Sequence, residues 1–155
     1  MGELKAAARP RLRRMLAHGT TTAEAKTGYG LETEAELRQL QAILELDQEG
    51  PLEMVPNFLG AHAIPEEYQA PEQGEPNRSD DYVDRICREM LPRLERWWRE
   101  QAGRRPLPFV DVFCEVGAFD LAQTRRILEA ARGLGFPLKV HADEFESLGG
   151  TALAA

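Results

Sequence analysis

The sequence predicts an α/β fold built on a parallel sheet. Short apolar or β-branched runs alternate along the chain with longer segments that carry apolar residues at helical spacing. Gly, Pro and helix-capping residues separate these segments. Strands that alternate with helices imply right-handed crossovers between parallel strands. The predicted order is a helix, three strand–helix units, and a fourth strand with the start of another helix.

Each predicted element is bounded by residues that start or stop regular structure. Thr33 and Glu36 have the spacing of a capping box, in which the threonine caps the helix and the glutamate reaches back. Pro92 should interrupt the third helix because it has no backbone N–H. A long loop should run from Ala61 to about Arg78. The apolar side of the first helix is expected to consist of Leu4, Leu12, Met15 and Leu16. In chain order the elements are a helix over 3–17, a strand over 20–26, a helix from 33 to the Gly50-Pro51 stop, a strand over 52–60, a helix from 79, a strand over 109–115, a helix from 120 to 133 or 135, a strand over 137–142 and a helix start from 147.

Two architectures fit this order, a doubly wound sheet and part of a (β/α)8 barrel of the TIM type. A complete barrel takes about 250 residues. A chain of 155 residues with four predicted strands can make at most half of one.

Composition excludes several classes of protein. The net charge is −7, whereas nucleic-acid binding usually needs a basic stripe. The chain has no apolar run long enough to span a membrane, and its N-terminus has no apolar signal region, so we expect a cytoplasmic protein. Two cysteines make no disulfide framework. GxSxG, P-loop and GxGxxG motifs are also missing from the sequence.

Polar residues recur where the predicted strands end, which is where parallel α/β folds place their chemistry. Tyr29 lies between two glycines after the first strand, and His62 follows the second. His141 lies at the end of the fourth strand, and Asp143 and Glu144 follow it. His141 suits either a metal ion or a hydrogen-bonded place in the core. Glu144 suits either proton transfer or a solvated helix start, and Asp143 suits at most a supporting role.

Glu115 ends the third predicted strand, at the same edge. Its carboxylate could orient the neighbouring loops through hydrogen bonds or form an ion pair with Lys26. The sequence leaves both alternatives open.

Four segments carry a resemblance to a known family: "HGTTTAEAKTGYGLETEAELRQL", "NFLGAHAIPEEY", "FVDVFCEVGAF" and "LKVHADEFESLGG". In this order and spacing they resemble the middle of imidazolonepropionases, metal-dependent amidohydrolases of histidine degradation. The resemblance implies that residues 1–155 are the central part of a single (β/α)8 catalytic domain, truncated at both ends. It also implies hydrolytic ring opening of 4-imidazolone-5-propanoate to N-formimidoyl-L-glutamate, and a homodimeric parent protein.

The resemblance also implies roles for particular residues. His141 matches a metal ligand, for zinc or iron, and Glu144 matches a catalytic, substrate-contacting acid. Tyr29 and His62 match substrate-binding positions. The family's His-x-His metal pair has no counterpart in this sequence, nor does its late-strand Asp ligand, so the isolated chain is expected to be inactive. Another cyclic-amide hydrolase of the same superfamily, or a binding fragment without catalysis, is the alternative.

Overall fold

The computed structural model describes residues 2–69 and 77–155, which form one four-stranded parallel sheet with helices between the strands. The strands lie side by side in chain order, so every crossover connects direct neighbours. The sheet curls into half of a barrel, which confirms the predicted partial (β/α)8 fold. The strands are β1 Thr22–Lys26, β2 Glu53–Ala61, β3 Phe109–Cys114 and β4 His141–Ala142. The helices are α1 Gly2–Ala17, α2 Thr33–Glu49, α3 Ser79–Arg85, α4 Leu91–Gln101, α5 Leu121–Gly133 and α6 Gly150–Ala154.

The strand β3 shows how the sheet separates its two faces. Val110 and Val112 are buried in the apolar core together with Ile127 of α5. Asp111 and Phe113 alternate with them and point to the other face, because successive side chains of a strand point to opposite sides. The face away from the helices is therefore the barrel interior, and it carries the polar residues of the strands.

The helix α1 does not bury the apolar side predicted for it. Of its four apolar residues only Leu12 is buried, whereas Leu4, Met15 and Leu16 are 50%, 37% and 38% exposed. The helix packs on α2 through ion pairs, including those that join Lys5 to Glu45 and Arg9 to Glu49.

The capping box predicted at Thr33 is wrong. Glu32 is the N-cap, and its carboxylate accepts a hydrogen bond from Ala35 N–H at 3.2 Å. Thr33 is already helical, and its hydroxyl donates to Glu89 at 2.5 Å. Glu36 does reach back, but to the loop before the cap.

The other predicted helix and strand boundaries agree only in part with those in the structure. Between α3 and α4, just before Pro92, residues Ile86–Met90 form a π-helix. This change of helix type confirms the predicted interruption of the helix at Pro92. Asp120 and Gln123 form the capping box that opens α5. The fourth strand is shorter than predicted: Pro137 has no N–H to donate, and Leu138 makes one isolated bridge to β3. In the predicted loop over 61–78, residues 66–68 form a 3-10 turn, while residues 70–76 lie outside the described residues.

Candidate functional site

The loop after β1 is closed by the carboxylate of Glu36. One carboxylate oxygen accepts from Gly28 N–H at 2.7 Å, and the other accepts from Gly30 N–H at 2.7 Å and Leu31 N–H at 2.9 Å. The tip of this loop is Tyr29, whose side chain is 84% exposed. The phenol is thus presented to solvent on a backbone that is itself held in place.

The two glycines beside Tyr29 are required by this close approach. Gly28 has a φ of +104°, and a Cβ on it would lie 2.7 Å from the carbonyl oxygen of Leu59. A Cβ on Gly30 would lie 2.5 Å from the Cβ of Ala35. Neither contact is possible for a larger residue without backbone movement, so the sequence Gly-Tyr-Gly and the tight loop depend on each other.

His62, just after β2, contacts the same loop. Its Nδ1 lies 2.9 Å from the carbonyl oxygen of Gly28, and its ring meets the ring of Tyr29 edge to face at a centroid distance of 5.4 Å. A carbonyl oxygen only accepts hydrogen bonds, so Nδ1 carries the proton and Nε2 is left as the free nitrogen. The structure therefore brings the two predicted substrate-binding residues together.

His141 is oriented by a buried acid, Asp111. Its Nδ1 lies 2.9 Å from one carboxylate oxygen of Asp111 and 2.8 Å from the other. The Asp111 side chain is fully buried, while that of His141 is 35% exposed. Because the carboxylate accepts the Nδ1 proton, the Nε2 lone pair of neutral imidazole is free on the exposed side, as in carboxylate–histidine pairs at metal sites.

Asp111 belongs to a polar network across the barrel interior. It also accepts from Lys26 at 3.2 Å and from Asn57 at 2.8 Å. Glu24 accepts from Asn57 at 2.7 Å and pairs with Lys26 at 2.8 Å and Lys139 at 2.6 Å. Burial would raise the pKa of Glu24, but the hydrogen bonds from Lys139 and Lys26 outweigh it and lower the pKa to about 2. This network was not predicted from the sequence. The signal that could have indicated it is the presence of charged residues at alternate positions of a strand, as with Glu24 and Lys26.

Glu115 orients the loop after β4. Its carboxylate accepts from the N–H groups of Glu144 at 3.1 Å, Phe145 at 2.9 Å and Glu146 at 3.1 Å. The N–H of Val116 donates to the same carboxylate at 3.0 Å. Together these bonds, with that of Phe145 contributing most and that of Val116 next, lower the pKa of Glu115 below its usual range. Of the two alternatives for Glu115, the structure shows the hydrogen bonds to the loop. Lys26 does not pair with Glu115, because its ammonium pairs with Glu24 and Asp111 of the interior network.

The side chains of Asp143 and Glu144 differ in their contacts. Asp143 accepts from the backbone N–H of Thr151 at 3.2 Å and from its hydroxyl, which fixes the loop to α6 and lowers the pKa of Asp143. Glu144, the next residue, is exposed. Its backbone is held while its carboxylate remains accessible.

One pocket is lined by all four residues for which the sequence predicts a metal-binding, substrate-binding or catalytic role: Tyr29, His62, His141 and Glu144. Its volume is about 290 Å³. The ring of Phe113 lies between the two histidines, with centroid distances of 6.0 Å to His62 and 6.4 Å to His141. The lining is completed by Lys26, Thr27, Leu59 and Phe145. A larger pocket of about 450 Å³, behind Glu115, contains none of the four, so volume alone would not have found the site.

Within residues 2–69 and 77–155, no three His, Cys, Asp or Glu side chains are grouped so that they could hold a metal ion. None of the helices in these ranges is both long and apolar enough to cross a membrane.

A parallel βα sheet that gathers His, Tyr and Glu at the carboxyl ends of its strands has the arrangement by which (β/α)8-barrel proteins place their sites. No family model matches the chain. The chain is 56% identical over 154 residues to an imidazolonepropionase of Chloroflexus aggregans, across 98% of this chain and 34% of the relative. It is 53% identical to an imidazolonepropionase of Herpetosiphon aurantiacus, across 98% of this chain and 34% of the relative. It is 48% identical to an imidazolonepropionase of Halobacterium salinarum, across 91% of this chain and 30% of the relative.

These matches confirm the resemblance to imidazolonepropionases for nearly the whole chain. The chain spans about a third of the length of the curated relatives it matches.

Proposed function

We propose that the chain is the central part of an imidazolonepropionase catalytic domain and contributes one wall of its active site. The observation that carries this proposal is the single pocket lined by Tyr29, His62, His141 and Glu144. In the proposed reaction, the oxygen of water bonds to the ring carbonyl carbon of 4-imidazolone-5-propanoate. The carbon–nitrogen bond to that carbon breaks, and a proton passes to the nitrogen, giving N-formimidoyl-L-glutamate.

Tyr29 and His62 would bind the propionate group of the substrate. The exposed Tyr29 hydroxyl can donate a hydrogen bond to a carboxylate. His62 presents Nε2 on the side away from Gly28, and protonation there would make it a second donor. The ring of Phe113 supplies an apolar surface between the two histidines, which suits a planar substrate ring.

The metal ion implied by the resemblance, zinc or iron, would be held here by His141. The residues present fit that role in one respect: Asp111 occupies Nδ1 and leaves Nε2 free, as expected for a metal-binding histidine. Catalytic zinc usually has three protein ligands, and the described residues offer no such group, so the other ligands would come from beyond the described residues. When bound, such an ion supplies hydroxide near neutral pH.

Glu144 would hold and release the proton during hydrolysis. Its carboxylate is exposed in the pocket, and its backbone is fixed by Glu115, so it can stay near the attacking water and the leaving nitrogen. A carboxylate in that position accepts a proton from water and returns it to the nitrogen. A cytoplasmic location and a homodimeric parent remain predictions.

The proposal can be tested with a hybrid enzyme, the Chloroflexus aggregans imidazolonepropionase in which the matching third is replaced by this chain. We expect the hybrid to hydrolyse 4-imidazolone-5-propanoate and to prefer it over hydantoin-type rings. The isolated chain should show no chelator-sensitive turnover. A folded hybrid that prefers hydantoins would favour the other cyclic-amide hydrolase, and a folded hybrid without any turnover would favour a fragment without catalysis.

The reading frame on both sides of the chain is a second test. A His-x-His upstream and a late-strand Asp downstream would supply the missing ligands. Stop codons close on both sides, with neither motif, would contradict the proposal.

A further inference from the structure

Two buried carboxylates hold the two loops that carry the candidate site residues. Glu36 is fully buried and Glu115 is 2% exposed. Glu36 binds the loop after β1, which presents Tyr29, and Glu115 binds the loop after β4, which presents Glu144. In the described part of the chain, neither acid has a Lys or Arg within ion-pair distance. Both negative charges are instead satisfied largely by backbone N–H groups.

Each loop also contains a non-glycine residue in the left-handed region. Leu31 has a φ of 52° and is itself a donor to Glu36. Asp143 has a φ of 57° and directly precedes the donors to Glu115. Asp adopts this conformation fairly readily, but Leu does so rarely because its backbone is strained there. Such a conformation persists only where surrounding contacts fix it, and the three bonds to Glu36 do so.

The loops require the two acceptor oxygens of these carboxylates, and not only the shape of the side chains. A carboxylate has two acceptor oxygens and no donor. Glutamine has the same shape but replaces one oxygen with NH₂, which would face the N–H of Gly28 or of Gly30 and Leu31 in the first loop. Either orientation of the amide leaves at least one N–H against another donor. An isosteric Gln should therefore release part of the loop without leaving a cavity.

We propose that Glu36 and Glu115 are positioning residues of the pocket, the first for Tyr29 and the second for Glu144. This inference rests on the function proposed above. If Tyr29 binds the substrate carboxylate, loss of the Glu36 bonds should weaken substrate binding. If Glu144 transfers the proton, loss of the Glu115 bonds should slow the chemical step.

The first test needs no activity and no variant. In the unaltered 155-residue chain, amide hydrogen exchange by NMR should show Gly28, Gly30 and Leu31 protected at least about ten-fold relative to Tyr29. Tyr29 lies in the same loop, and its N–H has no acceptor among the described residues. Equal exchange at all four amides would overturn the proposal for Glu36. The amides of residues 144–146 test Glu115 in the same way.

Variants then separate the two loops. Glu36→Gln should raise exchange at Gly28, Gly30 and Leu31 and leave 144–146 unchanged, and Glu115→Gln should do the reverse. Glu34→Gln, in the same helical turn as Glu36 but with an exposed side chain, is the matched control and should change neither loop. If either Gln variant does not fold, the exchange pattern of the unaltered chain still decides.

Kinetics in the hybrid enzyme supply the readout that a general loss of stability would not give. Glu36→Gln should raise KM about ten-fold with a smaller change in kcat, and Glu115→Gln should lower kcat about ten-fold or more with a smaller change in KM. Equal changes of both constants in both variants would overturn the positioning roles. An inactive hybrid with protected loop amides would instead contradict the proposed function and leave the exchange result for the loops intact.

Discussion

Replacing Asp111 with Asn should destabilise the chain strongly although the side chain keeps its shape. The carboxylate is fully buried in the barrel interior and accepts hydrogen bonds from Lys26, Asn57 and His141. An Asn has one acceptor oxygen in place of two, and its NH₂ would face one of three donors. The substitution also removes the negative charge that balances Lys26.

The size of the effect follows from what each partner retains. Lys26 and Asn57 each keep a bond to Glu24, and the partly exposed His141 can bind water. Removing one member of a buried ion pair costs about 3–5 kcal/mol, and the retained partners put this site at the lower end, about 3 kcal/mol. That loss is large but below the roughly 5–15 kcal/mol that stabilises a typical domain, so a folded variant is expected.

Urea unfolding followed by the fluorescence of the buried Trp98 measures this loss. With a slope of about 2 kcal/mol per M, a loss of about 3 kcal/mol lowers the midpoint by about 1.5 M. Asp81→Asn is the control: its carboxylate is 59% exposed, and its one ion pair among the described residues is with Arg78, so the midpoint should move by less than about 0.3 M. If Asp111→Asn unfolds at the same urea concentration as the control, the interior network does not have the role described here.

Four further substitutions make three more predictions. Tyr82→Phe removes the hydroxyl that lies 2.8 Å from the carbonyl oxygen of Gly60, and should cost about 1–3 kcal/mol in urea unfolding. The pKa of Glu24 is lowered from 4.5 to about 2 on folding, so its stabilisation is complete above about pH 4.5 and is lost as the pH falls towards 2. Glu24→Gln should therefore flatten the pH dependence of unfolding in that window; an unchanged slope would contradict the lowered pKa. Leu12→Ala should lower the stability by about 2 kcal/mol or more and the exposed Leu4→Ala by less than about 0.5 kcal/mol, whereas equal losses would contradict the burial of α1.

The fold was predictable because local signals and topology agree. Alternating strands and helices, together with stops such as Gly50-Pro51, define the parallel order that the structure shows. The errors lie where tertiary contacts decide between acceptable local choices. Glu32 and Thr33 can both cap a helix, but the Thr33 hydroxyl bonds Glu89 of a distant segment instead. Nothing local to Thr33 reveals that partner.

The candidate site was predictable for a related reason. Parallel strands bring their carboxyl ends to one edge, so residues at or just after the ends of three strands, such as Tyr29, His62 and His141, meet in one pocket. Asp111 was missed because it lies inside an apolar run, and the sequence does not show that its side chain faces a polar barrel interior. The role of Glu115 was left open because its partners are backbone N–H groups, which every residue has.

The most direct test of the account is the kcat of the hybrid enzyme with Glu144→Gln, compared with Glu146→Gln. Both acids are exposed in the same loop, but only Glu144 lines the pocket with His141. The account predicts that Glu144→Gln lowers kcat for 4-imidazolone-5-propanoate by about 10²–10⁴-fold while Glu146→Gln stays near the unaltered hybrid. Full turnover in the Glu144→Gln hybrid would contradict the central claim that this pocket is part of the active site.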